Sequence, residues 1–211
     1  MKNFLLIPIT ILAVGCGEND ESTIKTKPQE IKKEALPKIP NELLAFVRDQ
    51  NVRLITNDNK IVGLNLEGKE LSTKLLTNLV KFKDMEVLIL DSTDITDKGL
   101  KEIVKLTNLK ALWLDFTEIT DVGLAELANL KSLEDLDIED VEGNLINGLK
   151  SIEKFPSLKS LELINNGIGD ECIESLSKMK NLEDLWIIEG NNFSSKGLIT
   201  LKRALPKCHI H

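Results

Sequence analysis

The sequence predicts an α/β solenoid, and three observations lead there. The first is a repeat. An apolar-x-x-Leu-x-apolar pattern begins at Ile61, Met85, Leu109, Leu133, Leu158 and Leu182, at spacings of 24, 24, 24, 25 and 24 residues. The second is a change of period inside each unit. Segments such as Leu112-x-Leu114 alternate with period two, as one face of a strand does, whereas Gly123-Leu124-x-x-Leu127-x-x-Leu130 repeats every three residues, as one face of a short helix does. The third is that neither half can bury its apolar face alone, so the units must stack to make a core.

Taken in order, the chain opens on Met1-Lys2-Asn3-Phe4 and an apolar run from Leu5 to Val14, interrupted by Pro8 and Thr10. Ten residues of helix rise only about 15 Å, half of a bilayer core, so the run is too short to span a membrane. A charged start, a short apolar stretch and then small residues predict a secretory signal peptide over residues 1–15. Leu12-Ala13-Val14-Gly15-Cys16 resembles the lipobox of bacterial lipoproteins. Ala13 stands where that family prefers Leu, and Gly15 fits the small residue it places before the cysteine. The resemblance implies cleavage before Cys16 and acylation of that cysteine with palmitate-like chains, each buried CH₂ adding roughly 0.8 kcal/mol of membrane affinity. It also implies a lipid-anchored protein of the bacterial cell envelope, at the outer membrane or cell surface.

Residues 16–40 are expected to be a flexible tether behind the lipidated cysteine. From Gly17 to Pro40 the chain holds three of its six prolines, no aromatic residue, and five acidic against five basic side chains. Such a segment cannot bury enough apolar area to offset its ordering entropy, and its reach is roughly 25–30 Å. Residues 41–60 are expected to cap the solenoid. Asn41 to Val47 reads as a helix starting near Asn41 or Glu42, and Val52 to Ile55, Asn57-Asp58-Asn59 and Ile61 to Leu66 read as a hairpin feeding the first repeated strand.

Residues 61–211 carry six repeats and a last edge strand near Leu205 to His211, in which Cys208 and Ile210 alternate inward. Between strand and helix stand Ile95-Thr96-Asp97 and Ile119-Thr120-Asp121, with the isoleucine plugging the core and Thr or Asp capping the helix. Gly99, Gly123, Gly148 and Gly197 share one slot, where the helix is expected to approach its neighbour closely; Cys172 fills it in the fifth unit as a small buried residue. Thr93-x-Ile95-Thr96-Asp97-x-Gly99-Leu100 and Thr117-x-Ile119-Thr120-Asp121-x-Gly123-Leu124 resemble the bacterial leucine-rich-repeat type reading L-x-x-L-x-L-x-x-T-x-I-T-D-x-G-L. The pattern departs from it at Asp140 to Asn144 and at Gly190-Asn191-Asn192. The resemblance implies a leucine-rich-repeat solenoid of the α/β class, with a curved parallel sheet on the concave face and short helices on the convex face. It further implies binding of a protein partner through the concave surface.

Charge points to the same surface. The chain has 34 acidic and 27 basic side chains, a net −7 that argues against nucleic acid as partner. The strand segments of the six units hold thirteen carboxylates and two lysines, so the excess acid belongs to the strand face. Positions three, five and seven of each strand are expected to point outward. The fifth-position row reads Asn65, Ile89, Trp113, Asp137, Glu162, Trp186, and the seventh reads Glu67, Asp91, Asp115, Glu139, Ile164, Ile188. Both tryptophans thus fall outside the leucine slots and read as exposed anchors. Val87, Ile89 and Ala111 are expected around Trp113, and Ile164 and Ile188 around Trp186. With Asp135 from the third position, the carboxylates predict a basic partner, steered electrostatically. The alternative is a carbohydrate-binding adhesin or sensor, with Trp113 and Trp186 as stacking platforms.

Other chemistry finds little support. The two histidines, His209 and His211, lie within the last three residues, so no central triad or metal cluster can be assembled from them. Asp135, Asp137 and Glu139 do not wrap a calcium ion from a strand. Gly143 to Lys150 has phosphate-loop glycine spacing, but Leu149 occupies the position of the required lysine. No catalytic residue, cofactor or metal is expected.

Overall fold

The computed structural model describes residues 10–13, 47, 52–57, 60–141, 145–152 and 154–211. Its described residues form one nine-stranded sheet, in chain order: β1 (Thr10–Ala13), β2 (Arg53–Asn57), β3 (Lys60–Asn65), β4 (Val87–Ile89), β5 (Ala111–Trp113), β6 (Asp135–Asp137), β7 (Ser160–Glu162), β8 (Asp184–Trp186) and β9 (His209–Ile210). β1, β2 and β3 pair antiparallel, and every later strand is parallel to the one before. Helices alternate with the strands: α1 (Thr73–Leu79), α2 (Asp97–Ile103), α3 (Asp121–Leu127), α4 (Ile146–Ile152), α5 (Ile173–Leu176, entered through a 3₁₀ turn at Asp170–Cys172) and α6 (Ser195–Ala204).

The repeated leucines set the register. Leu64, Leu88, Leu112, Leu136, Leu161 and Leu185 lie opposite one another on successive strands, and Leu185 pairs with Ile210. The six leucines are fully buried between sheet and helices, together with Leu100, Leu124, Leu149, Leu176 and Leu201 from the helical halves. This is the core that stacking was expected to supply.

At Gly123 and Gly197 the shared glycine slot follows from a clamp between repeats, whereas a Cβ at Gly99 would meet Ile95 Cδ1 at 2.3 Å and one at Gly148 the Asp121 backbone at 2.9 Å. Asp97 at the start of α2 accepts from the Thr120 N–H at 2.9 Å and from its hydroxyl at 2.7 Å, one repeat further on. Asp170 does the same for Ser194 at 2.9 and 2.5 Å. The carboxylate therefore lies against the next helix, where a Cβ at Gly123 would meet Asp97 Oδ1 at 2.3 Å and one at Gly197 would meet Asp170 Oδ1 at 2.1 Å. Capping is divided accordingly. Thr120 accepts from Val122 N–H at 3.2 Å, whereas Thr96 makes no side-chain cap bond, and the aspartates tie repeats together instead.

The irregular sixth unit is rebuilt around asparagine. In the regular units the Thr93 and Thr117 hydroxyls donate to Leu90 and Leu114 carbonyls at 2.6 Å. Gly190 adopts φ 66°, where a Cβ would fall 1.7 Å from Asn165 Oδ1, and this extra residue carries Asn191 into the turn. The departure in the fourth unit falls partly on residues 142–144, outside the described residues; α4 follows it, so Gly148 and Leu149 belong to a helix.

At the N-terminal end the structure differs from the sequence reading, which placed no element within residues 1–15. Thr10–Ala13 pairs with β2, Ile11 opposite Ile55 and Leu12 opposite Leu54. An edge strand presents a row of unpaired backbone groups, and a short apolar segment can satisfy them. The hairpin of β2 and β3 forms as expected, with a bulge at Ile55/Thr56. Of the helix expected from Asn41, Val47 is described, helical and buried. Cys16, the tether, and the rest of that helix lie outside the described residues.

Candidate functional site

The sheet face turned away from the helices sorts its side chains into rows, and the rows have different jobs. Two of the seventh-position carboxylates serve the backbone. Asp91 Oδ1 accepts from the Asp115 N–H at 3.1 Å, and Asp115 Oδ1 accepts from the Glu139 N–H at 2.9 Å. Asp115 is only 2% exposed. The sequence reading set this row on an open surface; the structure buries Asp115, and both it and Asp91 lean across the strand end to the next repeat. Repulsion along the row is offset by charge-assisted hydrogen bonds.

The second-position row, at the strand starts, alternates in sign. Lys110 Nζ lies 2.8 Å from Glu86, and Lys159 Nζ lies 2.6 Å from Glu134. Hydrogen bonding and charge from Glu134, with Glu183 adding to them, hold the Lys159 ammonium above its ordinary range. A pocket of about 320 Å³ opens here, lined by Glu134, Pro156, Ser157, Lys159, Asn181 and Glu183. These pairs were missed at the sequence level because the row was counted for net charge and not for its Glu86, Lys110, Glu134, Lys159, Glu183 alternation.

The third and fifth positions make the centre of the face. Strand register aligns Ile89, Trp113, Asp137, Glu162 and Trp186 across β4 to β8. The two indoles stand three strands apart, roughly 14 Å at the backbone. Trp113 is half-buried. It packs against an apolar cluster of Ile55, Val62, Val87, Ile89 and Ala111, and its Nε1 donates to Asp135 Oδ2 at 3.4 Å. The neighbours expected for Trp113 are therefore present, although Ile89 itself is buried at 4% exposure and supports the indole from within. Asp137 is likewise buried, whereas Asp135 and Glu162 are half-buried.

Trp186 has a neighbour that was not foreseen. The His211 ring lies on it face to face, with centroids 3.8 Å apart and planes 14° from parallel. Asp184 Oδ1 is 3.4 Å from a nitrogen of each of His209 and His211. The signal was present in the alternation of the last strand: with Cys208 and Ile210 packed toward the core, His209 and His211 extend the third- and fifth-position rows. Ile164 is half-buried, while Ile188 (48% exposed) and Glu67 lie open at the edge. Cys172 is buried, and desolvation raises its thiol to about 11, in keeping with a packing role.

The groups at this centre are of the kind that attract cations. Indole faces attract ammonium and guanidinium groups, and half-buried carboxylates between them add charge in a partly desolvated setting. Among the described residues no group of three or more His, Cys, Asp or Glu side chains is arranged to hold a metal ion.

Residues 83–104, 105–128 and 156–177 each match the Leucine Rich repeat family model. With the alternating strands and helices, these repeats make the fold a leucine-rich-repeat α/β solenoid. No curated protein matches the chain. Similar solved structures include a leucine-rich-repeat protein of Leptospira interrogans (22% identity, 64% of this chain and 39% of that one, TM-score 0.45). An internalin of Listeria monocytogenes (21%, 70% and 52%, TM-score 0.44) and internalin C2 of the same organism (23%, 72% and 70%, TM-score 0.49) are also similar. The chain thus spans about two-fifths and one-half of the first two proteins.

Proposed function

We propose that this leucine-rich-repeat chain is a lipid-anchored protein-binding module of a bacterial envelope, whose concave face takes a basic segment of its partner. The observation that carries the binding half is the pair of indoles, Trp113 and Trp186, flanking the half-buried carboxylates of Asp135 and Glu162 on one sheet, with Asp137 buried between them. Anchoring aromatic residues beside complementary charge is the usual composition of a binding hot spot. A glycan-stacking role is less well supported at Trp186, because His211 already covers one face of that ring.

A fluorescein-labelled nonalysine peptide tests the binding half at low ionic strength. Trp113→Ala and Asp135→Lys are each expected to weaken it about tenfold, a loss of about 1.4 kcal/mol. Equal affinity for wild type and both variants would remove the reading.

The anchoring half rests on the resemblance of Leu12 to Cys16 to a lipobox. Cleavage before Cys16 would remove Thr10–Ala13 and leave β2 outermost among the described strands. Cys16→Ser is expected to shift the protein from the membrane to the soluble fraction, and unchanged fractionation in the producing cell refutes lipidation there.

A further inference from the structure

At the eighth position of the first five units, just past the strand, the backbone turns through the left-handed region; the sixth unit does so one residue later, at Gly190 (φ 66°). The eighth-position residues are Gly68 (φ 68°), Ser92 (56°), Phe116 (55°), Asp140 (49°) and Asn165 (55°). Glycine, asparagine and aspartate tolerate that conformation, and serine is small; a bulky aromatic is an outlier in it. Phe116 recovers little of the strain by packing, because about half of its surface (52%) stays exposed. Its N–H donates to the Glu139 carbonyl at 2.8 Å, the bond any residue would make in this slot, as Ser92 does with Asp115 at 2.8 Å. The phenyl group therefore leaves about half of its surface open while straining the backbone. Strain of this kind persists where a function holds it in place.

The surroundings indicate the function. In the units on either side the same slot holds Ser92 and Asp140, both exposed and short enough to leave the ring standing clear. The slot two residues on holds Asp94 in the second unit and Glu118 in the third, again exposed, and Glu139 precedes Asp140. No lysine or arginine occupies either slot in the second to fourth units. An exposed aromatic side chain with carboxylates in the neighbouring slots, Asp140, Glu118 and Asp94 (whose Oδ1 also accepts from the Leu71 N–H at 2.7 Å), suits a guanidinium, which stacks on rings and pairs with carboxylates in one plane.

We propose that Phe116 is an anchor on the rim of the concave face that seats an arginine side chain of the protein partner. The inference deepens the binding reading above and rests on it. It locates where the bound segment leaves the face, at the C-terminal end of β5, and which basic residue it places there.

The test compares Phe116→Asn with wild type, using the full chain and two labelled probes, nona-arginine and nonalysine. Asparagine already occupies this slot at Asn165, so the variant retains the turn. Nona-arginine is expected to bind at least fivefold more weakly and nonalysine less than twofold, while the Tm rises by about 2–4 °C as the strain is released. A nona-arginine loss under fivefold, an equal loss for both probes, or a Tm below wild type overturns the proposal. Phe116→Ser, matching Ser92, serves as the second variant under the same criteria. Trp113→Ala run in parallel separates the two readings. If it weakens both probes and Phe116→Asn weakens neither, the rim anchor fails and the concave-face reading stands. If Trp113→Ala changes neither probe, the concave-face reading fails with it.

Discussion

Asn191→Ala is expected to lower the unfolding free energy by about 3 kcal/mol, measured as a fall in urea midpoint at constant slope. The amide uses all its hydrogen-bonding capacity. Nδ2 donates to the Leu163 carbonyl at 2.7 Å and to the Ile187 carbonyl at 2.9 Å, while Oδ1 accepts from the Asn166 and Ile168 N–H groups, both at 3.2 Å. Four bonds at about 1 kcal/mol net each, less what water recovers in the opened turn, give that magnitude. The bonds join the fifth and sixth repeats as well as closing the turn, so the loss falls on a repeat interface, where solenoid stability resides. Asn191→Asp is the sharper variant. It keeps the acceptor but sets a carboxylate against two carbonyls, and it should cost at least as much as alanine. A change under 0.5 kcal/mol in both would show that the sixth unit does not depend on this amide.

That irregular unit marks how far the sequence could be read. The leucine register was legible because burial repeats with the chain: six leucines at one slot can share an interior only if their strands lie side by side. The close approach at Gly123 and Gly197 was legible for the same reason, although the partner it makes room for, the aspartate of the preceding repeat, was not. Reading Asn191 required knowing that Gly190 moves the left-handed turn one residue on, so that Asn191 takes the slot held by Asn166 in the fifth unit and by a threonine hydroxyl in the regular units. β1 was illegible because an apolar run that can serve as a leader can also pair with an open strand edge.

The carboxylates were the hardest to read. Sequence counts charge, but a carboxylate on a strand can face solvent, pair with the next strand's lysine, or turn to a backbone N–H. All three occur on this sheet. Glu86 and Glu134 hold lysines, Asp91 and Asp115 accept from the backbone, and Asp135 meets the Trp113 indole. The acidic surface on which the proposed binding can draw is therefore narrower than the thirteen carboxylates counted from the strand segments. It centres on β6 to β8, beside the tryptophans, with Asp140 and Glu118 at the rim.

Asp115→Ala separates these roles most sharply, and it is expected to destabilise the protein by about 2–3 kcal/mol. The carboxylate is buried and accepts from Glu139 N–H at 2.9 Å, so its removal strands a backbone donor that the interior of the repeat cannot easily rehydrate. Were Asp115 a surface carboxylate in a repelling row, the same substitution would relieve repulsion and raise stability slightly, while weakening capture of a basic probe. The two expectations have opposite signs in the unfolding measurement. Asp115→Asn refines the result, since its amide oxygen can still accept from Glu139 N–H without the charge; it should recover about half of the loss if the hydrogen bond, and not the charge, is what the fold needs. Asp91→Ala gives the scale. Asp91 makes the equivalent bond to Asp115 N–H at 3.1 Å from a half-buried position, where water can replace it, so its loss should be smaller. A stability order with Asp91→Ala below Asp115→Ala would place the cost of this row in surface charge and return Asp115 to the binding face.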